Sequence, residues 1–203
     1  MSSDPKLQET RVSSSEVLRG DFLHVFRDTV KLPDGTPASR EFIVHPGAVM
    51  VIPLIESEDG TVRVLMERQF RYPVGKVMIE FPAGKLDKGE APLSCAQREL
   101  REETGYTATH WARVGLLHPG ISYSTEFIEI WFARGLSAGE SQLDAGEFLE
   151  VFSATPQEIF DGCRSGWITD GKTLAGALWL QNVLSGAWPL EWQSPDTNDK
   201  EAP

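Results

Sequence analysis

At 203 residues, with 40% apolar and 24% charged side chains, the chain has the composition of one sizeable globular domain, or of a domain with a small addition. Its 30 acids outnumber its 19 lysines and arginines, and the resulting charge of −11 argues against a non-specific binder of nucleic acid or membrane surfaces, which needs a basic face. Two cysteines in no metal-binding spacing, a polar N-terminus and no run of membrane-span length give a reducing, cytoplasmic setting as the expectation.

Taken in chain order, residues 1–15 are polar and expected to fray. "PDGTPAS" is a turn cluster between two segments rich in β-branched and aromatic residues, which predicts a hairpin. "AVMVIPLI" and "TVRVLMERQF", joined by "ESEDG", predict a second hairpin, and the unbroken apolar run of its first strand predicts burial on both faces. "ERQFRYPVGK" gathers Arg68, Arg71 and Lys76 into a local basic cluster. "VMIEFPAG" reads as a short strand stopped by Pro82 and Gly84, and residues 92–104 as a helix with Pro92 in its first turn and Gly105 as C-terminal cap. "EFIEIWFARG" and "FLEVFSA" are further strands. Thr155 and Glu158 form a capping box in front of a short helix, and a last helix covers residues 172–184 with Asp170 near its start. Cys95 and Cys163 are read as small packing residues. The pattern predicts an α+β chain: a small antiparallel sheet in residues 1–45, a larger domain in 46–193, and a disordered tail in 194–203.

The helix at 92–104 asks for more than a surface role. Glu99, Glu102 and Glu103 are spaced i, i+3, i+4 and share one face, where like charges cost a few tenths of a kcal/mol per pair. Such a face is ordinarily solvated surface. Arg98 reaches Glu102 at i+4, yet one arginine does not balance these acids together with Glu90. Clustered oxygen ligands suit a hard divalent cation such as Mg²⁺, above all when phosphate completes its shell. The full frame is Gly84, five residues, Glu90, seven residues, then Arg98-Glu99-Leu100-Arg101-Glu102-Glu103-Thr104-Gly105. Seven positions of set type, each with a background of about one in fifteen, recur by chance on the order of 10⁻⁸ per starting point.

That frame resembles the signature of the Nudix hydrolases, departing from it where Tyr106 replaces an aliphatic residue, a packing variant. The resemblance implies the Nudix fold, a mixed β-sheet sandwiched between helices, and Mg²⁺-dependent cleavage of a diphosphate linked to another moiety, with Mn²⁺ as a substitute ion. It implies that Glu99, Glu103 and the carbonyl of Ala83 hold the metal, with Glu102 a further or water-mediated ligand. Arg98 would orient the glutamates and Glu90 would hold Arg98 or the loop.

The flanks "QFRYP", "EFPAG" and "REFIVHPGAVMVIPL" are similar to the ADP-ribose pyrophosphatase branch, as is Pro119 after the box. The branch implies hydrolysis of ADP-ribose to AMP and ribose 5-phosphate by a homodimer with exchanged N-terminal sheets. Arg71 is then the candidate for phosphate or the terminal ribose, since guanidinium matches phosphate oxygens bidentately. Arg40 and Glu41 are candidates on the adenosine side, with a surface ion pair as their ordinary alternative. Phe26 is a candidate to stack on adenine, or else a core aromatic. For the catalytic base, Glu147 aligns best in the loop "SAGESQLDAGEFLEV", followed by Asp144 and Glu140; a metal-activated water and Glu102 are the alternatives. Competing functions are cleavage of a nucleotide sugar, NADH or a diadenosine polyphosphate, and a non-catalytic ADP-ribose sensor.

Overall fold

A computed structural model describes residues 4–143 and 145–194; Asp144 and the expected tail from residue 195 onward lie outside the described residues. The chain divides into two compact units, one of residues 1–47 with 118–127, the other of residues 48–117 with 128–203.

In the first unit, β1 (Thr10–Arg19), β2 (His24–Lys31) and β3 (Pro37–Val44) form an antiparallel sheet in that order. The predicted turn at residues 33–36 joins β2 to β3. The expected fraying of residues 1–15 is corrected from Thr10 onward. Every residue of β1 is exposed, so the strand lacks the apolar alternation that marks a strand in sequence, and is held by its ladder to β2. The segment 118–127 is tied to this sheet by Ile43 N–H to Tyr123 O at 2.8 Å, Thr125 N–H to Ile43 O at 3.0 Å, and His45 N–H to Thr125 Oγ1 at 2.9 Å.

The second unit is built on a seven-stranded mixed sheet flanked by helices. Its path runs β10 (Leu149–Ala154), β5 (Val62–Arg71), β4 (Ala48–Glu56), β9 (Ile128–Ala138), β8 (Tyr106–Leu117), with β6 (Lys76–Glu80) paired to β5 and β7 (Ala83–Lys85) to β4. The β4–β9 ladder is parallel and the others antiparallel. Successive strand side chains point to opposite faces. On β4, Met50, Ile52 and Leu54 enter one core, with Ile128, Ile130 and Phe132 of β9, while Val49 and Val51 enter another with Trp131 and Ala133. The first core includes Ile159 of α2 (Pro156–Ser165) and Ala177 and Leu180 of α3 (Gly171–Leu184); the second includes Leu93, Ala96 and Leu100 of α1 (Pro92–Thr104). Two buried faces explain the unbroken apolar run of β4.

The predicted α+β class, with a small antiparallel sheet and a larger mixed one, is the architecture formed. Three local departures have physical causes. The β4–β5 ladder spans only Leu54↔Val64 to Glu56↔Val62, because β4 leaves it to pair with β7 and β9. "VMIEFPAG" is two strands, β6 and β7, interrupted around Pro82. Residues 106–117 form β8, an edge strand whose largely part-exposed side chains give no clear period.

Candidate active site

The acidic helix α1 begins with Pro92 at its first turn and ends at Gly105, whose φ of 77° is left-handed and whose N–H bonds Arg101 O at 2.9 Å. Gly105 suits the turn twice over: a Cβ there would also lie 2.7 Å from Gly139 O. Tyr106, the departure from the family frame, packs part-buried against the core that holds Leu100.

Arg98 is the hub of the helix face. Its Nε and Nη2 donate to the two oxygens of Glu90 at 2.9 Å each, and Nη1 donates to Glu99 Oε1 at 2.8 Å and Glu102 Oε2 at 3.0 Å. Nη2 also reaches Lys85 O at 3.1 Å, fastening the helix to β7. These bonds hold Glu90 near pH 2 and raise the guanidinium's own affinity for its proton. Glu99 instead sits above the ordinary range, because burial outweighs the help from Arg98. Gly84 makes room for it: a Cβ at Gly84 would fall 1.8 Å from Glu99 Cδ, so any larger residue expels the carboxylate.

Glu103 is buried, and its Oε2 accepts from Ala83 N–H at 3.1 Å. Burial, then the charges of Glu67, Glu99 and Glu147, push its carboxyl well above the usual range. Glu67 on β5 is fully buried, and its carboxyl is pushed up to about 8, chiefly by desolvation. Among the described residues, neither Glu67 oxygen has a hydrogen-bond donor, and Glu103 is its acidic neighbour. The charges of Lys172 and Arg71 offset part of the desolvation of Glu67 but do not outweigh it, so two buried carboxylates here call for a further positive partner.

Among the described residues, no three acidic, histidine or cysteine side chains converge into a ready cation cage, and Glu99 and Glu102 are turned onto Arg98. The donor chemistry nevertheless fits a hard cation: it is all oxygen, it carries two buried oxygens at Glu67 without a donor among the described residues, and Gly84 lets the Glu99 carboxylate lie against the β7 backbone.

The other predicted site residues fall as follows. Glu147 accepts from Gln69 Nε2 at 3.2 Å and adds its charge to those bearing on Glu99 and Glu103, so the loop brings it to the acidic face. Glu140 is exposed. Arg71 donates from Nε and Nη2 to Glu80 at 2.7 and 2.9 Å. Arg40 and Glu41 belong to the three-stranded sheet, where Arg40 pairs with Glu9 and Glu41 accepts from Arg27 at 2.8 Å. Phe26 stacks on Phe42 with ring centroids 6.1 Å apart. The basic cluster around Arg68 is not a single patch: residues three apart on a strand face opposite ways, and Arg68 pairs with Glu150 at 2.9 Å.

Glu67, Glu80 and Lys172 were not singled out by the sequence. For Glu67 a signal exists in "VLMERQF", where an acid follows directly on an apolar run inside a strand.

A family model described as NUDIX domain matches residues 44–175, and one described as Nucleoside diphosphate sugar hydrolase N-terminal domain matches residues 9–43. The chain is 34% identical over 177 residues to the ADP-ribose pyrophosphatase of Bacillus subtilis (strain 168), spanning 86% of this chain and 94% of that protein. It is 35% identical over 178 residues to the Methanol dehydrogenase activator of Bacillus methanolicus, spanning 86% and 93%. To the ADP-sugar pyrophosphatase of Mus musculus it is 32% identical over 169 residues, spanning 78% and 75%. A crystal structure of an ADP compounds hydrolase shares its fold, with a TM-score of 0.78 at 22% identity over 89% of this chain and 96% of that one. The glutamate helix, its glycine cradle and a family match over most of the chain lead to one assignment: this chain belongs to the Nudix hydrolases.

Proposed function

We propose that the chain hydrolyses the diphosphate of ADP-ribose to AMP and ribose 5-phosphate with Mg²⁺, for which Mn²⁺ can substitute. The observation that carries the reading is the burial of Glu67 and Glu103 together, with both Glu67 oxygens without a donor among the described residues and Glu99 adding its charge, an arrangement that a divalent cation would relieve. Similarity to the ADP-ribose pyrophosphatase of Bacillus subtilis supports the substrate.

Glu99, Glu103 and the Ala83 carbonyl would hold the ion, with Glu102 as a further or water-mediated ligand. When bound, it neutralises the diphosphate and lowers the pKa of attacking water. Arg98 keeps Glu99 and Glu102 in register on the helix face and is itself clamped by Glu90. Glu147, which accepts from Gln69, would take the proton of the attacking water. Arg71 offers its guanidinium to phosphate. Arg40 and Glu41 serve the adenosine side from an exchanged N-terminal sheet, residues 1–45 acting as the dimerisation element.

A second reading, cleavage of nucleotide sugars, is favoured by the similarity to the mouse ADP-sugar pyrophosphatase. A panel of nucleoside diphosphate derivatives in H₂¹⁸O, with products weighed by mass spectrometry, separates the two. The expected result is fastest turnover of ADP-ribose with ¹⁸O in only one of the two products; faster turnover of ADP-sugars selects the second reading. For the dimer, the full-length chain is expected to sediment at twice its own mass, and removal of residues 1–45 to raise KM for ADP-ribose by about tenfold or more. A truncated monomer with unchanged KM removes the exchanged-sheet model.

A further inference from the structure

The first turn of α3 does more than start a helix. Lys172 is its second residue, where the helix dipole disfavours a cation, and its side chain is only 13% exposed. Both penalties are offset by acids. Lys172 Nζ is in contact with Glu80 Oε2 and lies 3.1 Å from Asp170 Oδ2. Asp170, the N-cap, also accepts from Thr173 N–H at 2.9 Å and Thr173 Oγ1 at 2.6 Å. Thr173 Oγ1 in turn accepts from Phe81 N–H at 3.3 Å. Gly176 lets the helix close on this segment, since a Cβ there would sit 2.8 Å from Met50 and Phe81. Asp170, Lys172 and Thr173 therefore form a template under Glu80 and Phe81, two residues before the Ala83 carbonyl.

Glu80 is buried and shared between two cations. Arg71 takes both of its oxygens and Lys172 takes one of the same two. Were Arg71 the sole partner, the guanidinium charge would be spent inside the protein on a desolvated carboxylate. With Lys172 sharing that carboxylate, Arg71 is held in one rotamer by Nε and Nη2, while its charge and its Nη1 donors remain for an anion. We propose that Lys172 is a positioning residue that acts through Glu80 to present Arg71 to the substrate diphosphate. This rests on the reading of Arg71 as the phosphate-binding arginine.

The test is a mutant cycle read by calorimetric binding of ADP, alongside KM and kcat for ADP-ribose. Lys172→Met is expected to weaken ADP and raise KM by about tenfold or more, with a smaller change in kcat, since Lys172 pairs with Glu80 and Asp170 and not with Glu99, Glu102 or Glu103. In an Arg71→Ala background, which has itself lost the phosphate contact, Lys172→Met is expected to add nothing to either value. A purely structural lysine moves both backgrounds by the same factor, and that result, or unchanged ADP binding in the single variant, overturns the proposal. Should Lys172→Met fail to fold because Glu80 is left poorly compensated, Lys172→Gln, which keeps an N–H donor for Glu80 but no charge, carries the same expectation and the same refutation. ADP reads Arg71 whether or not ADP-ribose is turned over. A chain that shows this pattern with ADP but spares ADP-ribose therefore sinks the substrate reading and supports Lys172, whereas absence of ADP binding by the unmutated chain overturns both.

Discussion

Replacing Glu103 with glutamine is expected to cut kcat/KM for the preferred diphosphate by about a thousandfold or more while the metal-free protein becomes more stable. The two effects share a cause. Glu103 is buried against Glu67, Glu99 and Glu147, an arrangement that favours a bound cation and penalises the folded chain without one. The Glu103→Gln amide keeps an oxygen for Ala83 N–H and offers N–H donors to Glu67, whose oxygens otherwise lack them. That exchange is worth about 1–2 kcal/mol of stability. Turnover in a magnesium assay and thermal unfolding by circular dichroism check both halves. Near-normal turnover removes Glu103 from the metal site, and a destabilised variant refutes the electrostatic account of its burial.

The second large effect is a pH-dependent stabilisation by metal. Glu67 has an ordinary value of 4.5 and is pushed up to about 8 in the folded chain, and Glu103 is raised in the same direction. A carboxyl with a raised folded-state pKa favours folding while protonated. Its contribution is complete below about pH 4.5 and is lost as the pH climbs through about 8. The depressed value of Glu90 acts in the opposite sense, but only in acid, between its ordinary 4.5 and about 2. Metal-free protein is therefore expected to lose roughly 5 °C or more of thermal midpoint between pH 5 and pH 9. Mg²⁺ or Mn²⁺ should recover most of that loss at pH 9 and little at pH 5, where protons compete for the same oxygens. Scanning calorimetry with and without the ion measures it. An equal metal effect at both pH values would falsify the link between the buried acids and the cation.

What could be read in advance follows from which interactions are local. The helix of residues 92–104 was legible because its signals lie within its own turns: Pro92 at the start, Gly105 at the stop, and apolar Leu93, Ala96 and Leu100 on the buried side. The capping box of Thr155 and Glu158 was legible for the same reason, with Glu158 N–H reaching Thr155 Oγ1 at 3.2 Å. By contrast β1 and β8 are edge strands held by backbone ladders, and edge positions impose little hydrophobic pattern. The cluster of Arg68, Arg71 and Lys76 looked like a single anion site in one dimension. The strand period turns Arg68 and Arg71 to opposite sides, and cross-strand acids claim them separately.

The sequence by itself determined the α+β class, the spacing that sets Glu99, Glu102 and Glu103 on one helix face, and the need of that face for positive charge. All three depend on periodicity and on neighbours within a few residues. Only the tertiary structure decided which of the acids are buried and what stands opposite them. Glu67 became the neighbour of Glu103 when α1 packed on the sheet that contains β5, and Glu80 came to bridge Arg71, nine residues before it, and Lys172, 92 residues after it. Desolvation and charge pairing across such separations depend on how sheet and helices pack, which no local pattern of residues encodes.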